Sequence, residues 1–155
     1  MASRASAGVL MYRRRANGVE VFLVHPGGPF WARKDVGAWT IPKGEIEAGE
    51  EPLEAALREF GEETGSAVSG DFTPLGSVRM RSGKVVHAWA VEGEIDADTI
   101  RSNVFTLEWP PRSGRQQEYP EADRAAWFPL DEARRRILAG QAPLLDELDT
   151  LLSTS

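Results

Sequence analysis

The sequence predicts a single α/β domain over residues 1–155, with a mixed sheet packed by helices on both faces. Three observations carry that expectation. Strand-patterned runs flank two turn dipeptides, Asn17-Gly18 and Ser82-Gly83. Three segments show helical apolar spacing, and strands and helices are mixed along one short chain without an internal repeat. The length is enough to bury a substantial core without disulfides.

Residues 7–15 and 19–25 flank Asn17-Gly18 and read as a hairpin. Val19, Val21, Leu23 and His25 alternate with Glu20, Phe22 and Val24, so this strand buries one or both faces. Arg13, Arg14 and Arg15 lie at its end as a solvated edge. Residues 25–39 contain Pro and Gly that exclude regular structure, yet Phe30, Trp31 and Trp39 make the segment too apolar for a plain surface loop. Such a loop either lids the core or lies beside a pocket, where Trp31 could stack on a base and Arg33 or Lys34 could meet phosphate. Residues 38–42 read as a short strand. A helix follows from Pro52, suited to a first helical position, to Thr64, with Gly65 as its left-handed cap.

Residues 75–81 and 84–91 form the second hairpin, from which Arg79, Arg81 and Lys84 project; most such residues are solvated, and one or two can reach a phosphate. His87, set among Val85, Val86, Ala88 and Trp89, reads as a packed core histidine. Residues 104–109 read as a strand, and 109–123 as a long loop carrying Arg112, Arg115, Glu118, Tyr119, Glu121 and Asp123. A last strand at 125–130, an amphipathic segment to Leu138 and a helix opened by Pro143 complete the chain. Leu144, Leu145, Leu148, Leu151 and Leu152 make that helix a core element.

Composition narrows the function. With 41% hydrophobic and 27% charged residues, the chain is ordinary for a globular protein. A net charge of −6 argues against a general nucleic-acid or membrane-surface binder. It is compatible with an anionic small molecule, because a bound cation and local Arg or Lys invert the field at a site. The absence of cysteine excludes disulfides and thiolate metal sites. The N-terminal apolar run is too short for a signal peptide or a membrane span, and the expected location is the cytoplasm.

The helix at 52–64 breaks local rules. Glu59, Glu62 and Glu63 are near neighbours at i, i+3 and i+4, where like charges cost about 0.2–0.5 kcal/mol per pair. They sit where the helix dipole disfavours anions. Gly61 costs roughly a further 1 kcal/mol against Ala. Converging carboxylates suit a hard divalent cation with oxygen ligands, and such an ion brings phosphate substrates with it. A solvated acidic face is the structural alternative. No phosphate-binding loop is present, since Gly44 to Gly49 lacks the following Lys and Ser or Thr.

The stretch Gly44 to Ser66 resembles the Nudix box, the signature of the Nudix hydrolases. That pattern is Gly, five residues, Glu, seven residues, Arg-Glu, a bulky apolar residue, any residue, Glu-Glu, any residue, Gly, a bulky apolar residue. Gly44, Glu50, Arg58, Glu59, Glu62, Glu63 and Gly65 stand at the required spacing. Chance would supply those seven matches in one window on the order of once in 10⁸. Phe60 and Ser66 depart from the pattern at positions that serve packing in the family. The wording WTIPKGEIEAGE is most like the diadenosine tetraphosphate hydrolase branch.

The resemblance implies a Nudix-type α/β/α sandwich with a mixed β-sheet, and hydrolysis of a nucleoside diphosphate linked to a group X. It implies Mg²⁺, with Mn²⁺ as the alternative, held by Glu59, Glu62, Glu63 and the Gly44 carbonyl. Arg58 would orient carboxylates. Glu121, six residues before Trp127, would supply a further site carboxylate, with Glu118 as its competitor; Glu121 or Glu59 would take the proton of the attacking water. Lys43, Trp31, Arg33, Arg79 and Tyr119 are the substrate-binding candidates. The expected substrate is a small nucleotide, by preference a dinucleoside polyphosphate such as diadenosine tetraphosphate giving ATP and AMP. A nucleoside triphosphate, or nucleotide sensing without cleavage, is the alternative. The protein would act as a monomer or homodimer, without nucleic acid or membrane as partner.

Overall fold

The computed structural model describes residues 5–154. Strand β1 (Ala5–Arg15) turns through Asn17 into β2 (Gly18–Pro26) in antiparallel register, Arg15 opposite Gly18. Gly18 has φ 126°, a conformation glycine adopts without steric cost. The two strands pair from Arg15 to Tyr12 and from Gly18 to Val21. Farther along β1, the three-residue β3 (Lys43–Glu45) takes over, pairing with Gly8, Ala7 and Ser6. The strand expected at residues 38–42 is reduced to isolated bridges, Thr40 to Val24 and Trp39 to Ile137. Pro42 has no N–H for a ladder, and its carbonyl accepts from the Val9 N–H at 3.1 Å instead.

Helix α1 (Pro52–Thr64) begins and ends as the sequence predicts, with Gly65 at φ 78°. Strands β4 (Thr73–Arg79) and β5 (Val85–Glu92) form the second hairpin, and β5 lies parallel to β1. The segment read as a loop after Trp109 contains a strand. Strand β6 (Val104–Glu108) pairs antiparallel with β7 (Gln116–Pro120), so only the turn between them is irregular. Strand β8 (Ala122–Pro129) follows after one residue and pairs with β2. Helices α2 (Leu130–Arg136) and α3 (Ala142–Ser153) close the chain. The main sheet runs β4-β5-β1-β2-β8, mixed because β1 and β5 are parallel.

Alternation along β2 divides the core. Val21 and Leu23 face Leu144, Leu145 and Leu148 of α3, Ala133 of α2, Trp39 and Ile41. Phe22 and Val24 face the other way, toward Ala55, Ala56 and Phe60 of α1. The architecture is therefore an α/β/α sandwich, with α1 on one face and α2 and α3 on the other. Among the described residues, no helix is long and apolar enough to cross a membrane.

Two expectations about polar side chains are corrected. His87 is half-buried; His25 is the fully buried histidine. Both lie in apolar runs, but His87 occupies an alternating strand while β2 is buried on both faces near its end. Arg13 is no solvated edge: its guanidinium lies 4.2 Å over the Trp127 ring and pairs with Glu20 and Glu94 at 2.8 and 2.9 Å.

Candidate active site

The site begins with a missing side chain. Gly44 of β3 passes so close to α1 that a Cβ there would overlap the Glu59 carboxylate. Backbone and acid thereby share one small space, a cradle that any other residue would fill.

Arg58 gathers the acids. Its Nε and Nη2 donate to the two oxygens of Glu50 at 2.8 and 3.0 Å, a bidentate clasp. Its Nη1 donates to Glu59 and Glu62 at 2.8 and 2.9 Å, and Nη2 also reaches the Glu45 carbonyl at 2.9 Å. The guanidinium holds the Glu50 carboxyl down to about 2, helped by the Glu47 N–H. The Arg58 pKa is raised, first through its bond to Glu50.

Glu121 arrives from the junction of β7 and β8. One carboxylate oxygen each from Glu59, Glu62 and Glu121 lies within 4.8 Å of the others. The backbone shows why they converge. The last carbonyls of α1 need donors, and residues 101–103 supply them: Arg101 N–H to Thr64 at 2.8 Å and Asn103 N–H to Glu62 at 2.7 Å. The Asn103 carbonyl then accepts from the Glu121 N–H at 2.8 Å, while the Glu121 carbonyl accepts from the Gly27 N–H at 3.0 Å.

Glu63 stands apart from that trio and accepts from the Lys43 N–H at 3.2 Å. Burial pushes its carboxyl up to about 8, against the pull of Lys43. Glu59 is raised by burial, opposed by its bond to Arg58. Glu121 is raised by burial, then by the charges of Glu59 and Glu62. These acids are short of positive charge, and the oxygen donor set fits a hard divalent cation. Glu59, Glu62 and Glu121, beside Gly44, could hold such an ion.

Around them lies a cavity of about 470 Å³, lined by Lys43, Gly44, Glu45, Glu47, Arg58, Glu59, Glu62, Glu63, Phe105 and Glu121. Phe105, which the sequence alone did not single out, brings an aromatic ring to the acids. Tyr119 lies behind it, ring centroids 6.0 Å apart, as their cross-strand pairing dictates. Trp31, Arg33 and Arg79 do not line the cavity. Trp31 sits under the Lys34 ammonium at 5.3 Å, Arg33 is exposed, and Arg79 donates to the Gly83 carbonyl within its own hairpin at 3.2 Å. Glu118 is exposed on β7 opposite Thr106 and takes no part in the cluster.

Comparison with known proteins places this arrangement. The NUDIX domain model matches residues 2–148. The chain superposes on the C. elegans Ap4A hydrolase binary complex with TM-score 0.67 and 23% identity, over 98% of this chain and 99% of that one. It superposes on the NUDIX domain of Shewanella oneidensis NrtR complexed with ADP ribose with TM-score 0.69 and 17% identity, over 98% and 90% of the chains. An octanoyltransferase of Myxococcus xanthus is 32% identical over 101 residues, which are 65% of this chain and 25% of that protein. The chain thus spans about a quarter of that curated relative. With the domain matched almost end to end and the box acids gathered at one cavity, the chain belongs to the Nudix hydrolase family.

Proposed function

We propose that this Nudix hydrolase cleaves a pyrophosphate bond of a dinucleoside polyphosphate, in the cytoplasm and with Mg²⁺, releasing ATP and AMP from diadenosine tetraphosphate. The observation that carries the reading is the juxtaposition of carboxylates and aromatic rim. Phe105 lines the same cavity as Glu59, Glu62 and Glu121. Gly28 lets the preceding loop approach Phe105, since a Cβ there would meet the ring at 3.0 Å. Phe30, 61% exposed, stands edge-on to Trp109 with centroids 5.2 Å apart. The loop that carries Phe30 and the segment that begins at Trp109 therefore meet in one aromatic rim. A base stacked there would gain roughly 1–3 kcal/mol, by analogy with single-stranded nucleic-acid binding. The second base would stack on the next ring of the same rim, a contact that a mononucleotide lacks.

A divalent cation at the carboxylates would neutralise phosphate charge and acidify a water. The protein's part is to hold that centre. Arg58 fixes the rotamers of Glu59 and Glu62, and Lys43 offers a cation to the phosphate chain. Glu59 and Glu121, both raised above the ordinary carboxylate range, suit the role of accepting the water's proton. Glu63, in this reading, holds β3 through Lys43 and adds charge to the metal site.

A substrate panel tests the reading at equal free Mg²⁺: diadenosine tetraphosphate, ATP, an oxidised guanosine triphosphate and ADP-ribose, the last because the Shewanella neighbour is complexed with it. Diadenosine tetraphosphate should be favoured by about ten- to a hundredfold in kcat/KM, the worth of one stacked base. Equal or better rates with a mononucleotide would overturn the substrate and leave the metal chemistry standing. Full activity in excess chelator would overturn the metal.

A further inference from the structure

The imidazole of His25 is fully buried at the end of β2, and both its nitrogens are engaged. Nδ1 lies 2.8 Å from Asp123 Oδ1, and Nε2 donates to the Lys34 carbonyl at 2.6 Å. The ring thus bridges a carboxylate and a backbone carbonyl. It packs against Trp39 in a T-shaped arrangement, centroids 5.3 Å apart.

What this ring joins is the point of interest. Lys34 belongs to the loop that carries Phe30. The far half of that loop is fastened elsewhere too: Trp39 Nε1 donates to Asp35 at 2.7 Å, Arg136 Nη1 reaches both Asp35 oxygens at 2.6 Å, and the Gly37 N–H donates to the Arg135 carbonyl at 3.2 Å. Asp123 lies two residues beyond Glu121, whose carbonyl takes the N–H of Gly27, where the loop begins. Among the described residues, the other hydrogen bonds that fasten the far half run to Trp39 or α2. The imidazole is its hydrogen-bonded bridge to the segment that presents Glu121, while Arg124 of that segment acts on Asp35 through charge and lies 5.2 Å over the Trp39 ring.

We propose that His25 is a positioning residue. By bridging the Lys34 carbonyl and Asp123 it sets the Phe30 rim at a fixed distance from the carboxylate cluster, and so sets how well a nucleotide base is held. This rests on the reading above that the rim receives a base.

The test is a double-mutant cycle on the best nucleotide of the panel, whichever that is. His25→Asn keeps an amide near Nδ1 and loses the Lys34 bond. His25→Gln carries its amide farther, near Nε2, and is the conservative rescue. His25→Asn should raise KM about three- to tenfold, the worth of one hydrogen bond, with a smaller fall in kcat. His25→Gln should recover most of that. In a Phe30→Ala background, His25→Asn should add nothing, because no rim remains to be placed. Asp123→Ala breaks the same bridge from a partly exposed side chain, should His25→Asn not fold, and should show the same dependence on Phe30.

Effects of His25→Asn and Phe30→Ala that multiply would overturn the proposal, as would a fall in kcat alone. If neither bridge variant folds, the imidazole is a folding element and the proposal falls. If Phe30→Ala leaves KM untouched, the base-binding rim itself is wrong, which separates that failure from this one.

Discussion

Helix α1 and the α2–α3 pair cover opposite faces of one sheet, and they were built to different rules. Helix α2 follows the macrodipole, with Asp131 and Glu132 in its first turn and Arg134, Arg135 and Arg136 in its last. Helix α3 buries Leu144, Leu145 and Leu148, and on its polar side Asp146 and Asp149 pair with Arg134 of α2 at 3.2 and 3.3 Å. Helix α1 has no basic residue in its last turn and gathers acids there. It stays folded because Ala55, Ala56 and Phe60 are buried and because Arg101 and Asn103 cap its last carbonyls. Helix α1 thus takes its stability from packing, external caps and the ion pairs of Arg58, which offset the local cost of its clustered acids. Under the proposed function, that locally costly face is the one that would hold the cation.

The sharpest way to break that comparison is to neutralise one charge on α1 and remove one methyl cluster on α3. Glu62→Gln should lower turnover by at least ~10²-fold while the metal-free thermal midpoint changes little, since relief of like-charge repulsion offsets the lost ion pair with Arg58. Leu148→Ala should do the opposite, costing about 2–5 kcal/mol of stability while the folded fraction keeps its kcat. Unfolding data and turnover on both variants decide it; a Glu62 variant that unfolds, or a Leu148 variant that is folded and dead, removes the distinction.

Arg58→Ala tests whether the α1 charges work as an assembled unit. The guanidinium touches acids and a carbonyl, so its loss should reduce kcat by roughly ten- to a hundredfold, more than it raises KM. Poor binding with normal turnover at saturation would make Arg58 a substrate contact instead.

Proton linkage gives a gentler probe. Glu63 is pushed up to about 8, and Glu59 and Glu121 are also raised, in the folded chain without cation. The native state therefore holds more protons than the unfolded one above the ordinary carboxylate range. Stability must fall as pH rises from about 5 through about 8. Thermal scans in chelator should show that decline, and saturating Mg²⁺ should flatten it. A rising midpoint over the same range would contradict the charge distribution at the cavity.

How much of this was legible beforehand follows the range of the forces involved. The limits of α1 were readable because Pro52 and Gly65 act locally, and both hairpins because their turn dipeptides do. Strand β7 was not, since Gln116, Gln117 and Glu118 lack strand propensity and form one through pairing with β6. The box acids stood in a fixed pattern, but Phe105 lay in an ordinary strand run and joined them only when the fold brought it to the same cavity. The two histidines were misjudged for a similar reason, because burial at the end of β2 depends on what folds across it.

Asn103 makes a last point about assembly. Its N–H closes the Glu62 carbonyl and its own carbonyl receives the Glu121 N–H, so the backbone of one residue fastens two carboxylate-bearing segments. A chain cut before β7 would retain every box residue and still present only part of the cluster. Grafting the box into another scaffold would transplant the signature without the centre. The carboxylate cluster is completed only as the C-terminal half docks, which makes its formation a non-local event that reports on contacts distant in sequence.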